Sequence, residues 1–234
     1  MAAATSDLTG GSGPVLGLLH TAEEHCATFA ALVREVAPGL PDLHVVEPGL
    51  LARARRDGLD AVRDGLLRRL RDLDAAGADH VLVTCSTLGG LAEALAEEAG
   101  VPVLRVDRPM AQEAARRAAT QGRPVLVVAA LAATLGPTER LLRSVSSAPL
   151  VVVHELVDDA WPLFESGDRS GYLATVAAAT RGAVERHDPA VVVLAQASAA
   201  GAADLLTDLG CPVLSSPVRA VRQLARVLGV GPAR

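Results

Sequence analysis

Short runs of branched aliphatic residues recur along the chain, and long stretches rich in Ala, Leu, Arg and Glu separate them. None of the runs alternates strictly between apolar and polar residues, which is typical of parallel strands that helices cover on both faces. The stretches at 51–76 and 171–187 have helical spacing. The predicted strands lie near residues 15–20, 43–47, 80–85, 101–106, 124–130, 150–156, 190–196 and 212–215. The pattern predicts an α/β protein built from parallel sheets.

Segments of the first half recur in the second half at a constant spacing. Pro14-Val15-Leu16 recurs as Pro124-Val125-Leu126, and the segment 100–104 recurs as 210–214. This repetition predicts an internal duplication with two pseudo-symmetric αβα lobes, each containing a four-stranded parallel sheet. The alternative is a single doubly wound sheet of eight strands. In the duplicated arrangement a ligand cleft lies between the lobes, at the carboxyl ends of the strands.

The duplication also sets the predicted domain boundaries. Lobe one spans 14–122 and lobe two spans 123–230, while residues 1–13, rich in Ala, Gly, Ser and Thr, predict a flexible tail. The last helix, near 216–228, packs either on its own lobe or on lobe one.

Composition excludes several classes of function. The chain of 234 residues has a formal charge of -5 and only 2% aromatic residues, so nothing indicates a nucleic-acid partner. It contains no lysine, which excludes the Schiff base of a pyridoxal phosphate enzyme and a Walker A phosphate loop. We therefore expect no cofactor. Without a secretory segment or a long apolar run, we expect a cytoplasmic protein with no membrane partner.

Cys85 is the strongest candidate for chemistry. It follows the buried run Val81-Leu82-Val83 and precedes a helix expected from about Leu91. The amino end of a helix favours a thiolate and a bound carboxylate. The alternative is a buried structural cysteine. Cys26 and Cys211 fit structural packing better, and the spacing of the three cysteines indicates neither a disulfide framework nor a metal site.

The sequence resembles the aspartate/glutamate/hydantoin racemase superfamily. The resemblance rests on the duplicated layout over 14–230, on Thr84-Cys85-Ser86-Thr87 at the end of a strand, and on the segment 124–134 that opens lobe two. It implies proton transfer without a cofactor at the carbon next to a carboxylate, between two cysteines that flank the substrate. It also implies that the loop containing Thr134 helps to hold the carboxylate of a small substrate, and that a homodimer can form.

The second cysteine of that pattern is missing here. Cys85 matches either Ala195 or Gln196 in lobe two, depending on a gap of one residue, and neither side chain is an acid or a base at neutral pH. His20, at the end of the first strand, is expected close to Cys85 and can activate it or serve as the acid, unless it is a surface residue that caps a helix. Glu155 is a second candidate acid, with a solvated loop position as its alternative.

Polar residues at strand ends and helix starts are candidates for holding a substrate carboxylate. These candidates are Thr21, Ser86, Thr87, Thr134, Gln196 and Ser198. Arg108 is a weaker candidate and fits a solvated helix position better. The segment 158–168, which holds the single Trp, forms either a wall over the cleft or an ordinary packing helix. His44, His80 and His187 are expected at the far edges of the sheets, where they have no chemical role.

Three functions follow from these observations. The first is a cofactor-independent racemase or epimerase of a small carboxylate, with Cys85 as acid and base. The second is a decarboxylase of a malonate-like acid, with Cys85 as the lone proton donor. The third is a protein that binds a carboxylate without turnover.

Overall fold

Two separate parallel sheets form the framework of the molecule. The structure, a computed structural model, describes residues 13–230; the predicted tail at 1–13 lies, apart from Gly13, outside the described residues. The strands are β1 (Leu16–His20), β2 (Asp42–Val46), β3 (His80–Val83), β4 (Val103–Arg105), β5 (Val125–Ala129), β6 (Val152–Leu156), β7 (Val191–Leu194) and β8 (Val213–Ser215). All eight predicted strands are therefore present.

The two sheets repeat one topology. Their strand orders are β2-β1-β3-β4 and β6-β5-β7-β8, with all neighbours parallel. The duplication predicted from the sequence is thus confirmed, and the single eight-stranded sheet is excluded. The central strands β1 and β5 are buried along their whole length, which explains why they lack an alternating pattern.

Helices cover both faces of each sheet. The α-helices are α1 (Glu24–Val36), α2 (Pro48–Asp57), α3 (Arg63–Ala75), α4 (Ser86–Ala94), α5 (Ala96–Ala99), α6 (Arg108–Gln121), α7 (Ala132–Val145), α8 (Trp161–Glu165), α9 (Arg169–His187) and α10 (Pro217–Val227). Short 3-10 helices cover Asp60–Val62, Asp158–Ala160 and Ala197–Leu206. No helix among the described residues is long and apolar enough to cross a membrane.

Two helix boundaries differ from the prediction. The stretch 51–76 is divided at Gly58, which has a φ of 88°, a backbone conformation that glycine adopts without strain. The helix after β3 begins at Ser86 and not near Leu91, so Cys85 itself occupies the position before the helix. The Ser86-Thr87 pair, which that prediction leaves outside the helix, forms the first turn of α4.

The last helix of each half packs on the other half. Met110 and Ala114 of α6 are buried in one cluster with Val127 of β5 and Val193 of β7. The last helix, α10, buries Val221, Leu224 and Ala225 in a cluster with Leu18 of β1 and Phe29 of α1. The boundary predicted between residues 122 and 123 falls between α6 and β5, but the packing of both terminal helices crosses it.

Candidate active site

A cavity lies between the lobes at the carboxyl ends of the central strands. Its volume is about 120 Å³. Because an apolar cavity of ~150 Å³ holds benzene, this space suits a ligand of only a few carbon atoms. Lobe one lines it with Thr21, Ala22, His25, Leu51, Thr84, Cys85, Ser86 and Thr87, and lobe two with Leu131, Thr134, Trp161, Phe164, Gln196, Ala197 and Ser198.

Cys85 is buried in the cavity wall, at the amino end of α4. Its backbone is extended, with φ -102° and ψ 112°, and α4 begins at the next residue. Burial raises the pKa of the thiol, and hydrogen bonds from the Thr21 hydroxyl and from the backbone amides of Leu88 and Thr87 oppose that rise. The raised pKa keeps the thiol protonated at neutral pH, while three donors are ready to stabilise a thiolate.

The first turn of α4 is fixed by contacts to both lobes. Ser86 Oγ donates a hydrogen bond to the carbonyl oxygen of Ala195 at the end of β7, at 2.8 Å. Below it, Arg105 donates two hydrogen bonds to Asp107, at 2.6 and 2.9 Å, and both side chains are buried. A third Arg105 contact reaches the carbonyl oxygen of Ser86 at 3.4 Å. These contacts hold Cys85 in one position relative to lobe two.

Gln196 occupies the place of Cys85 in lobe two, since each residue stands directly before the helix that follows the third strand. Its side-chain oxygen accepts hydrogen bonds from the backbone amides of Ala130 and Leu131, at 2.5 and 3.2 Å. The side-chain oxygen of Gln196 therefore occupies two backbone N–H donors that would otherwise be free to bind a substrate oxygen.

The six residues predicted to hold a carboxylate all line the cavity. Two of the hydroxyls already have protein partners: Ser86 bonds to Ala195, and Ser198 Oγ lies 2.9 Å from the hydroxyl of Tyr172. Thr87 and Thr134 are buried at the first turns of α4 and α7, and they line the cavity from lobe one and lobe two respectively. The hydroxyls that remain for a ligand come mainly from threonines.

His20 does not line the cavity, which differs from the predicted role beside Cys85. Its Nδ1 is 2.9 Å from Thr84 Oγ1 and its Nε2 is 2.8 Å from His44 Nδ1. The ring points to the face of the sheet that α1 covers, where it lies 5.7 Å from the ring of Phe29. Burial, then the neighbouring His44 and His25, lower the pKa of His20 to about 3. Sequence reasoning placed the residue correctly at the strand end but could not fix the direction of its side chain.

His44 is also misplaced by the prediction. It lies in the middle of β2, opposite Leu18 of β1, because the strand begins two residues earlier at Asp42. Its Nε2 is 2.8 Å from Asp42 Oδ2. His44 therefore belongs to a hydrogen-bonded chain that runs from Asp42 through His20 to Thr84, which lines the cavity.

His25 is the cavity residue that the sequence analysis missed. It is buried in the first turn of α1, and neither ring nitrogen has a hydrogen-bond partner among the described residues. Burial and then the charge of Arg169 lower the pKa of His25 to about 4, against a smaller opposite effect of Glu24. From the sequence alone, its position five residues after His20 does not indicate the direction of its side chain.

Aromatic side chains of lobe two close one side of the cavity. Trp161 and Phe164 stack with ring centroids 4.9 Å apart, and both line the cavity. Arg55 of α2, in lobe one, lies over the Trp161 ring at 5.9 Å and 3.8 Å from Glu165. The segment 158–168 is therefore both a packing helix and a wall, and it meets lobe one at the cavity mouth.

Two weaker candidates are engaged elsewhere. Glu155 forms an ion pair with Arg186 at 2.7 Å and is not among the residues that line the cavity, so the structure does not support it as the acid. Arg108 lies in the first turn of α6, as favoured for it, but it forms a partly buried ion pair with Glu93 and is not simply solvated.

Comparisons with known proteins agree with this architecture. The family model of the Asp/Glu/hydantoin racemases matches residues 19–224. A search of curated protein sequences returned no match. The chain superimposes on glutamate racemase RacE1 from Bacillus anthracis with a TM-score of 0.73 and 17% identity, covering 92% of this chain and 82% of that one.

Two further solved structures have the same fold. Aspartate racemase from Picrophilus torridus gives a TM-score of 0.69 at 12% identity, covering 93% of this chain and 95% of that one. A mutant of arylmalonate decarboxylase in its liganded form gives 0.64 at 20% identity, covering 94% of both chains. At these identities the likeness establishes the fold of two facing lobes.

Proposed function

Because this chain belongs to the Asp/Glu/hydantoin racemase family, we propose that it moves a proton at the carbon next to the carboxylate of a small acid, as a cofactor-independent racemase or epimerase. Cys85 is the proposed acid and base. The observation that carries the proposal is the position of this thiol in a small cavity between the lobes, with the Thr21 hydroxyl and two backbone amides directed at its sulfur.

The chemistry requires such an arrangement. A proton next to a carboxylate is far less acidic than a thiol, so the carbanion has to be stabilised as an enediolate by fixed donors in a site with little water. The hydroxyls of Thr87 and Thr134, one from each lobe, are the proposed donors to that enediolate. The volume of about 120 Å³ limits the substrate to a compact acid.

Racemisation also needs a second group that carries a proton. Of the side chains that line the cavity, Cys85 and His25 are the two with an ionisable group of moderate pKa. His25 is buried and its nitrogens have no partner among the described residues. We assign it the second position, in place of His20, which is directed away from the cavity.

A decarboxylase is the second candidate, and one observation favours it. Every lobe-two residue that lines the cavity lacks an acid or base, and Gln196 stands where a second cysteine would belong. An enediolate formed by loss of carbon dioxide needs one proton, from one side. The thiol of Cys85 keeps its proton because burial raises its pKa, so it is suited to donate that one proton to the enediolate.

Proton NMR in deuterium oxide tests both candidates. Chiral amino acids, hydantoins and substituted malonates are incubated with the wild type, with Cys85→Ala and with Cys26→Ala as a matched control for loss of another thiol. Racemase action predicts washout of the α-proton with loss of optical rotation, and decarboxylase action predicts release of carbon dioxide and one new carbon–deuterium bond. Both activities disappear in Cys85→Ala and persist in Cys26→Ala.

Ligand binding is measured separately through Trp161, the single tryptophan, which lines the cavity. Quenching of its fluorescence by panel compounds, together with no exchange and no decarboxylation of any compound in the panel, would contradict both enzymatic proposals and favour a binding protein without turnover.

A further inference from the structure

A second group of reactive side chains lies outside the cavity. His20, Cys26 and His44 each offer one ligand atom, and these three atoms lie within 4.8 Å of one another. None of the three residues lines the cavity of Cys85. The cluster is therefore a separate feature, on the face of the first sheet that α1 covers.

The fold brings the three residues together from separate elements. His44 pairs with Leu18 across the β1–β2 ladder, so its side chain points to the same face as Leu18 and, two residues further along β1, His20. Cys26 lies in the first turn of α1, the helix that covers this face. The spacing of cysteines and histidines along the chain gave no indication of such a site, because each residue comes from a different element.

The outer hydrogen bonds fix the tautomers of both rings. Asp42 is a carboxylate acceptor, so His44 Nε2 carries the proton that it donates across 2.8 Å. Thr84 Oγ1 donates to the carbonyl oxygen of Leu19 at 3.2 Å, so His20 Nδ1 donates to Thr84 across 2.9 Å. In neutral rings these bonds leave His20 Nε2 and His44 Nδ1 unprotonated, each with a free lone pair.

These two lone pairs face each other at a distance of 2.8 Å. Two acceptors at this separation repel unless a cation lies between or beside them. The sulfur of Cys26 lies within 4.8 Å of both nitrogens and supplies a third donor atom. Outer partners that hold the second nitrogen of each imidazole, as Asp42 and Thr84 do here, are the usual surroundings of histidines that bind a metal.

We propose that His20 Nε2, His44 Nδ1 and Cys26 Sγ bind one Zn²⁺ ion. Two imidazoles and one thiolate are donors that Zn²⁺ prefers, and three protein ligands leave its fourth tetrahedral position to water. Zinc–nitrogen bonds of about 2.0–2.1 Å place two such nitrogens about 3.3 Å apart, which small side-chain rotations reach from the present 2.8 Å. Binding releases the thiol proton of Cys26 to solvent.

The ion joins the start of α1 to strands β1 and β2. Cys26 and His44 are partly exposed, so the ion can enter from solvent without opening the lobes. Since the unfolded chain lacks the assembled site, bound Zn²⁺ raises the thermal stability of the folded protein.

Cobalt(II) provides a direct test, because it occupies zinc sites and gives a charge-transfer absorption band when a thiolate coordinates it. The full-length protein, stripped with a chelator, is titrated with Co²⁺ and then with Zn²⁺ against a chromophoric chelator. We expect one equivalent of Co²⁺ with the thiolate band, displacement by Zn²⁺, and a melting temperature that rises with Zn²⁺.

Matched variants identify the ligands. Cys26→Ser removes the thiolate band and the thermal shift, whereas Cys211→Ser and Cys85→Ser keep both. Asp42→Asn changes only the outer partner of His44 and weakens the affinity about 10–100-fold. Absence of stoichiometric binding, or equal affinity and an unchanged band in Cys26→Ser, would overturn the proposal and leave a shared proton as the cation between the rings.

Discussion

Opposing local effects act on the sulfur of Cys85. Burial favours the neutral thiol, whereas the Thr21 hydroxyl and the amides at the start of α4 favour the thiolate, and burial is the larger effect on its pKa. Because its pKa is raised, the thiol keeps its proton at neutral pH unless a bound group accepts it. The residue is therefore better suited to donate a proton than to accept one.

This balance predicts the ionisation of Cys85. Because its pKa is raised above the ordinary 9.0, the thiol stays protonated at neutral pH, and turnover that uses it as an acid falls as pH rises through the raised pKa. Thiolate absorbance in the ultraviolet, taken as wild type minus Cys85→Ala, measures that pKa directly. A difference signal that titrates below 9.0 would contradict the prediction.

The buried ion pair of Arg105 and Asp107 predicts a large effect on stability. Asp107→Asn leaves a guanidinium that is 6% exposed without its counter-charge, which costs about 3–5 kcal/mol in the free energy of unfolding. Urea denaturation measures the loss. Asp57→Asn, whose partner Arg56 is exposed, serves as the control with little change. Equal midpoints for the two variants would refute the structural importance of the buried pair.

At the scale of single residues, the positions of the site residues could be predicted from the sequence more reliably than the directions of their side chains. Cys85 and the six predicted substrate-binding residues all reach the cavity, because their positions follow from where strands end and helices start. His20 also ends a strand, but the alternation along β1 directs its ring to the opposite side. His25 was missed because the sequence does not show which face of α1 is directed at the cavity until the packing of that helix is known.

Among the elements, strands were more predictable than helix boundaries. Runs such as Val81-Leu82-Val83 are apolar because both faces of the sheet are covered by helices. Such a run can be recognised in the sequence even when the neighbouring elements are unknown. The start of α4 at Ser86 could not be seen, since Ser and Thr favour loops and caps as much as first turns. The close packing of α4 on β4 was equally hidden.

That close packing predicts the effect of a methyl group in α4. A Cβ at Gly89 would lie 2.6 Å from the Cβ of Arg105, which the buried pair with Asp107 holds in place. Gly89→Ala is therefore expected to cost about 1–3 kcal/mol of stability. The neighbouring Gly90→Ala, on the exposed side of the helix, is the milder comparison: its Cβ would lie 3.1 Å from Nη1 of the same Arg105, at the end of the side chain, so the gain from helix propensity stays below about 1 kcal/mol.

Chemical denaturation of these two variants gives the measurement. Because the extra methyl also displaces the first turn that carries Cys85, Gly89→Ala should lose activity in the NMR assay while it is still folded. A Gly89→Ala protein as stable and active as Gly90→Ala would mean that α4 has room to move away from β4.

On the scale of the whole molecule, the packing of α6 on lobe two and of α10 on lobe one makes the stability of each lobe depend on the other. Leu224 of α10 is buried against β1 and α1 of the first lobe, so Leu224→Ala should lower the unfolding free energy by about 2–5 kcal/mol. The exposed Val227→Ala, one turn further along, should change it little. Both variants keep the backbone of α10 intact.

Two probes decide whether the lobes unfold together. Trp161, the single tryptophan, reports on lobe two, and circular dichroism reports on both lobes. In Leu224→Ala the two transitions should shift together and remain coincident. A biphasic dichroism curve with an unchanged Trp161 transition would show that lobe two is stable without the contact of α10.

The same exchange of helices bears on how the chain folds as it leaves the ribosome. A nascent chain that has emerged through α6 holds all four strands of the first sheet, yet the face bearing Leu18 still lacks α10. That apolar face stays uncovered until residues 217–227 have been translated. Synthesis from the amino end therefore cannot complete the first lobe before α10 has emerged, and during that interval chaperones have an exposed apolar surface to recognise.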